Sequence, residues 1–185
     1  MQTAPLKVSA DTRRRIAGHI ANLGSPDDET ALRAEARLMR FGARAVPQIL
    51  AMVSGDSPQV RFRAAWVLGK SGDPLAYPAL TALTEDADEA VRYDATLALG
   101  ELGDGRAVPF LKALAQRVPS EDCRVCAAMS ALVKLKGCPA IEDFVQGIGV
   151  TEIEAADVEW ARFFRDYWRE ELTSGQDSPS IRPAS

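Results

Sequence analysis

The chain has 185 residues, enough for about one domain with a buried core, and its 46% hydrophobic and 26% charged content is that of an ordinary soluble globular protein. A formal net charge of −4 weighs against a dedicated nucleic-acid binder, which needs clustered Lys and Arg to meet phosphates. No apolar run approaches the roughly 18 residues that would cross a bilayer, the first residues carry no apolar signal core, and an odd set of three cysteines suits reduced thiols. A cytoplasmic protein is expected.

In chain order, residues 11–23 read as a helix with Ile16, Ile20 and Leu23 on one face, and residues 1–27 as an N-terminal cap. The next signal is a repeat. Val60-Arg61-Phe62 recurs as Val91-Arg92-Tyr93, Leu68-Gly69 as Leu99-Gly100, and Gly72-Asp73 as Gly103-Asp104, each 31 residues further on. Ala76, Pro78, Leu80 and Leu83 recur as Ala107, Pro109, Leu111 and Leu114. An earlier copy runs from Thr30 through Ala34, Leu38 and Gly42 to Pro47 and Leu50, with a turn one residue shorter. A degraded fourth begins near Arg124 and includes Ala128, Leu132 and Leu135.

Each unit reads as two helices. Val60, Ala64, Ala65 and Leu68 make the apolar face of the first. Gly72 supplies a residue that tolerates positive φ at its end, Asp73 a cap, and Pro78 the first turn of the second, whose buried face carries Leu80 and Leu83. One such pair cannot cover its own apolar stripe, so neighbours must stack. Residues 28–148 thus form an array of about four helix pairs. Residues 149–173 hold an amphipathic helix with Trp160, Phe163, Phe164, Tyr167 and Trp168 on one stripe, either a cap on the last repeat or a docking helix. Residues 174–185 have the composition of a disordered tail.

Groups that could do chemistry are few. His19 is the only histidine, at the margin of an apolar face. Cys123-Arg124-Val125-Cys126 is the most tempting motif, with Ser120 as a helix cap. Glu121 and Asp122 oppose thiolate formation there, and Cys138 supplies only a third ligand where zinc takes four. Small core or near-core residues is the favoured reading of these cysteines, ahead of redox, metal or covalent attachment. Arg13-Arg14-Arg15 spreads its charges around a helix as a solvated face. No catalytic residue, cofactor site or metal site is assigned.

The pattern V-R-x-x-A-A…L-G…G-D…A-x-P-x-L resembles HEAT repeats, in particular the short HEAT-like repeats first associated with phycobilisome lyases. The resemblance implies an all-α fold, a right-handed α-α superhelix with capping helices at both ends. It also implies that Arg61 and Arg92, with Asp56 and Asp86, link adjacent units, and that second helices line the concave face. The 31-residue offset then sets Val46, Tyr77 and Val108 in one column and Leu50, Thr81 and Lys112 in another, with Gln48, Ala79 and Phe110 as a third whose exposure depends on helix rotation. The first two columns, with Trp160 and Phe164, are the candidate partner-binding residues. The expected function is a non-enzymatic scaffold or adaptor for a protein partner. An assembly or maturation factor resembling a chromophore-lyase subunit is the alternative, and a nucleic-acid-binding solenoid the second.

Overall fold

The computed structural model of the chain describes residues 8–119 and 122–136, which are helical throughout apart from turns. The aromatic stripe with Trp160 and Phe164, the tail, Ser120, Glu121 and Cys138 lie outside the described residues. The helices are α1 (Ala10–Ala21), α2 (Asp28–Phe41), α3 (Val46–Ile49), α4 (Pro58–Lys70), α5 (Tyr77–Leu83), α6 (Glu89–Leu102), α7 (Ala107–Arg117) and α8 (Cys123–Lys136). Short 3₁₀ turns at Gly42–Arg44, Leu50–Met52 and Pro74–Ala76 flank α3 and lead into α5. None of the described helices is long and apolar enough to cross a membrane.

The first helices α2, α4 and α6 start where a short polar side chain can take an orphan amide. Asp27 accepts from the Thr30 N–H at 3.0 Å, Ser57 from Val60 at 3.4 Å and Asp88 from Val91 at 3.2 Å. The turn into the second helix follows a glycine with positive φ, 63° at Gly72 and 73° at Gly103, where a side chain would be strained. Asp73 then accepts from the Leu75 N–H at 3.0 Å, and Pro78 falls in the first turn of α5.

Packing follows the repeat. Ala64, Ala65 and Leu68 of α4, Ala95 and Leu99 of α6, and Ala127, Ala128 and Leu132 of α8 are buried, as are Leu80, Leu83, Leu111 and Leu114 of the second helices. Each fully buried leucine contributes about 1.5–3 kcal/mol by leaving water, so one continuous core joins the units. The first helices approach closely because glycine faces alanine. A Cβ placed on Gly69 would lie 2.8 Å from the Ala98 Cβ, and one on Gly100 only 2.6 Å from the Ala131 Cα. Among the described helices, α4 packs on α6 more broadly than α2 packs on α4.

Arginines at the repeat position stitch one unit to the next. Arg61 donates Nε and Nη2 to the Asp86 carboxylate, both at 2.7 Å, and Nη1 to the Gly55 carbonyl at 2.9 Å. Arg92 repeats the second half of this clamp, donating Nη1 to the carbonyls of Asp86 and Ala87 at 3.0 Å. Arg61 thus pairs with the carboxylate of the following unit rather than with that of Asp56, its near neighbour in sequence.

Candidate functional site

The second-helix columns come out unevenly. Val46 is fully buried and therefore contacts no partner. The 31-residue offset carries it onto half-buried Tyr77 and Val108, and Ala45 and Ile49 are buried as their counterparts Ala76 and Leu80 are, but α1 packs on α3, where Gln48 reaches the Arg13 carbonyl, and Val46 is covered. Leu50, Thr81 and Lys112 are half-buried. Tyr77 already has a job inside the array: its hydroxyl donates to the Arg106 carbonyl at 3.2 Å, and the Arg106 guanidinium lies 4.4 Å from its ring centre. Thr81 donates its hydroxyl to the Pro78 carbonyl at 2.9 Å, and Gln48 its amide to the Arg13 carbonyl at 3.1 Å.

The opposite row, made by the first helices, carries features not assigned from the sequence. Leu32 of α2 and Tyr93 of α6 are 55% and 37% exposed. Between them, α4 presents Phe62 and Trp66, one helical turn apart and both partly exposed. A depression of about 420 Å³ is lined by Asp28, Leu32, Glu35, Phe62, Arg63, Trp66 and Asp94. A second, of about 450 Å³, is lined by Asp88, Glu89, Ala90, Tyr93, Asp94 and Cys123. Asp94 belongs to both.

The electrostatics of this face are lopsided. Arg63, only 7% exposed, donates Nη1 to Glu35 and Nη2 to Asp28 at 2.9 Å, while its Nε is buried without an acceptor. Burial and the nearby Glu35 carboxylate raise the Asp94 pKa to about 6, and no described residue donates a hydrogen bond or counter-charge to it. Burial and the charge of Asp94 likewise raise Tyr93; burial, Asp122 and Glu89 raise the Cys123 thiol, the reverse of activation. Cys126 is exposed rather than packed near the core. Lys70 sits 4.7 Å over the Trp66 ring and is tied to Glu101 at 2.6 Å; Lys134 of α8 joins the same carboxylate. Burial disfavours the Glu101 charge, but the two ammonium groups outweigh it and lower the pKa.

The signal that could have found this face was in the sequence. Leu32, Phe62 and Tyr93 recur 30 and 31 residues apart beside the core stripe, and Phe62 with Trp66 makes an i, i+4 pair off that stripe. They read there as part of the repeat signature and not as surface.

Stacked helix pairs with capped first helices, glycine turns and an arginine clamp across units define an α-α superhelix of the solenoid class. The model of the HEAT repeats family matches residues 7–87 and 46–132, and the chain belongs to that family. Among solved structures, the chain is similar to one in the complex of CpcE and CpcF of phycocyanin lyase from Nostoc sp. PCC7120. The identity is 24% and the TM-score 0.54, over 90% of this chain and 67% of that one. That likeness is one of fold. A search of the curated proteins returns no match.

Proposed function

We propose that this chain is a non-enzymatic scaffold or adaptor whose protein partner docks on the face made by the first helices. The observation that carries this reading is the row Leu32, Phe62, Trp66 and Tyr93, contributed by the first helices α2, α4 and α6 of three successive units and set in two contiguous depressions. Apolar and aromatic surface rimmed by charge suits a protein interface. The columns of Leu50, Tyr77, Thr81, Val108 and Lys112 lie on the second-helix row and are half-buried. The excess of carboxylates on the first-helix face also disfavours nucleic acid as the partner.

A photo-cross-linking amino acid placed at Leu32, at Tyr93 or, on the opposite row, at Lys112 tests the reading in extract of the native cell. Adducts of one common protein from positions 32 and 93, competed by unlabelled chain, are expected. Adducts from position 112 alone would move docking to the second-helix face.

The likeness to a phycocyanin lyase chain favours a second reading, an assembly or maturation factor that works as one subunit of a complex. Incubation with a bilin separates the two: a shifted absorption band or transfer to an acceptor supports the second, and an unchanged spectrum removes its chromophore-handling form.

A further inference from the structure

We infer that the depression shared by α2, α4 and α6 receives an arginine or lysine side chain from a basic segment of the partner, held by the Asp94 carboxylate against the Trp66 and Phe62 rings. This rests on the first-helix face being the docking face, and it names the chemistry of the occupant.

Charge complementarity selects the occupant. The two depressions together are lined by the carboxylates of Asp28, Glu35, Asp88, Glu89 and Asp94 against one guanidinium, that of Arg63. Arg63 is already committed to Glu35 and Asp28. Lys70, which lies over the Trp66 ring, is held by Glu101. Asp88 spends one oxygen on the Val91 N–H. Asp94, at the point where the two depressions meet, is left half-buried and without a donor among the described residues. A carboxylate kept partly out of water beside aromatic walls gains most from a cation that brings its own hydrogen-bond donors. Trp66 shows that its ring accepts one, since Lys70 lies 4.7 Å from its centre.

A peptide fits better than a small cation. Arg63 lines the same wall, 7% exposed, and its Nε–H is buried without an acceptor. The ring walls of Trp66 and Phe62 beside the Asp94 carboxylate suit a cation on an apolar stem, which a lysine or arginine of a peptide supplies. A metal ion would satisfy the carboxylates and leave Arg63 as it is. Moreover, no group of three or more metal-ligating side chains converges among the described residues.

The probe is fluorescein-labelled octaarginine, followed by fluorescence anisotropy on the full chain at low salt, with octaglutamate as the control. Binding of octaarginine alone is expected, weakening about five- to tenfold in Asp94→Asn and in Trp66→Leu and unchanged in Asp11→Asn, a charge removed from exposed α1. Circular dichroism of each variant checks the fold. Equal affinity in Asp94→Asn, Trp66→Leu and wild type would show attraction to the net negative charge alone and overturn the inference. So would absence of octaarginine binding, or equal binding of octaglutamate. Cross-linking at Leu32 separates this failure from failure of the docking face. A partner adduct there, with octaarginine indifferent to Asp94, leaves the face standing and removes the basic occupant.

Discussion

Asp94 and the aspartates of the arginine clamp pull stability in opposite directions as pH changes. Asp94 has its pKa raised to about 6 by burial and by Glu35 of α2. The other titratable groups lining the depressions around it are Asp28 of α2, Arg63 of α4, Asp88, Glu89 and Tyr93 at and in its own helix, and Cys123 of α8. The folded state therefore holds more protons than the unfolded chain between about pH 4 and about 6, and stability falls as pH rises through that window. Asp122 has its pKa lowered to about 2 by hydrogen bonds from Arg124, and Asp86 is lowered by those from Arg61. Their contribution is present above the ordinary aspartate range and is lost as pH falls from about 4 toward 2. The melting temperature is thus expected to peak between these windows. Asp94→Asn should raise it at pH 7.5 and leave it unchanged at pH 4, as read by differential scanning calorimetry. An equal gain at both values would assign the effect to something other than ionisation.

Arg61 makes a second case at the same scale. Its side chain is 13% exposed and that of its partner Asp86 8%, and it also holds the Gly55 and Asp56 carbonyls. Arg61→Met removes the clamp and leaves Asp86 short of its main donor. The urea midpoint should drop well below that of Arg37→Met, which changes a solvent-exposed arginine of α2. Similar midpoints would mean that the clamp is replaced by water at no cost.

At the scale of elements, the contact between first helices rests on glycine. Gly100→Val would put its Cβ 2.6 Å from the Ala131 Cα, against backbone that cannot swing aside. Overpacking of this kind costs about 1–3 kcal/mol. The better helix propensity of valine returns only a few tenths of that. A net loss of about 1–2 kcal/mol in urea unfolding is expected, whereas Gly18→Ala, with open space around its Cβ, should be neutral or stabilising.

These elements were legible because their determinants are local. The caps at Asp27, Ser57 and Asp88, the turn glycines and the 31-residue recurrence each act within a few residues of themselves, so the helix pairs could be read from sequence. What covers a helix is not local. Val46 belonged on the surface by offset and α3 keeps the burial register of α5, yet α1 packs on α3 and Val46 is buried. The first-helix face was hidden for a related reason. Phe62 and Tyr93 look like repeat chemistry, and only the packing of α4 on α6 shows that they stand outside the core, with Asp94 uncovered beside them.

The whole array is held by nearest-neighbour contacts, so its stability should be uneven along the chain. The α4–α6 interface is broad and close, whereas α2 meets α4 over a smaller one, bridged by Arg63 to Glu35 and Asp28. Leu99 is fully buried in α6, on the helix that packs through Ala98 against Gly69 of α4. Leu99→Ala removes apolar contact and opens a void, at a cost of about 2–5 kcal/mol. If α4 and α6 open as one unit, native-state hydrogen exchange will show the amides of both helices losing protection by the same amount. The amides of α1 and the first turns of α2 should keep theirs. Leu38→Ala, in α2, should do the reverse: it lowers protection in α2 and leaves most of α6 untouched. A uniform loss across α1 to α8 in either variant would mean that the described units unfold all at once, with the smaller α2–α4 interface coupling them as firmly as the broad one. Unequal loss would place the boundary of the cooperative unit between α2 and α4, within the wall of the depression that Arg63 closes. Docking across that wall would then stabilise α2 more than any other helix, and the same exchange experiment with octaarginine present would read the gain at the α2 amides.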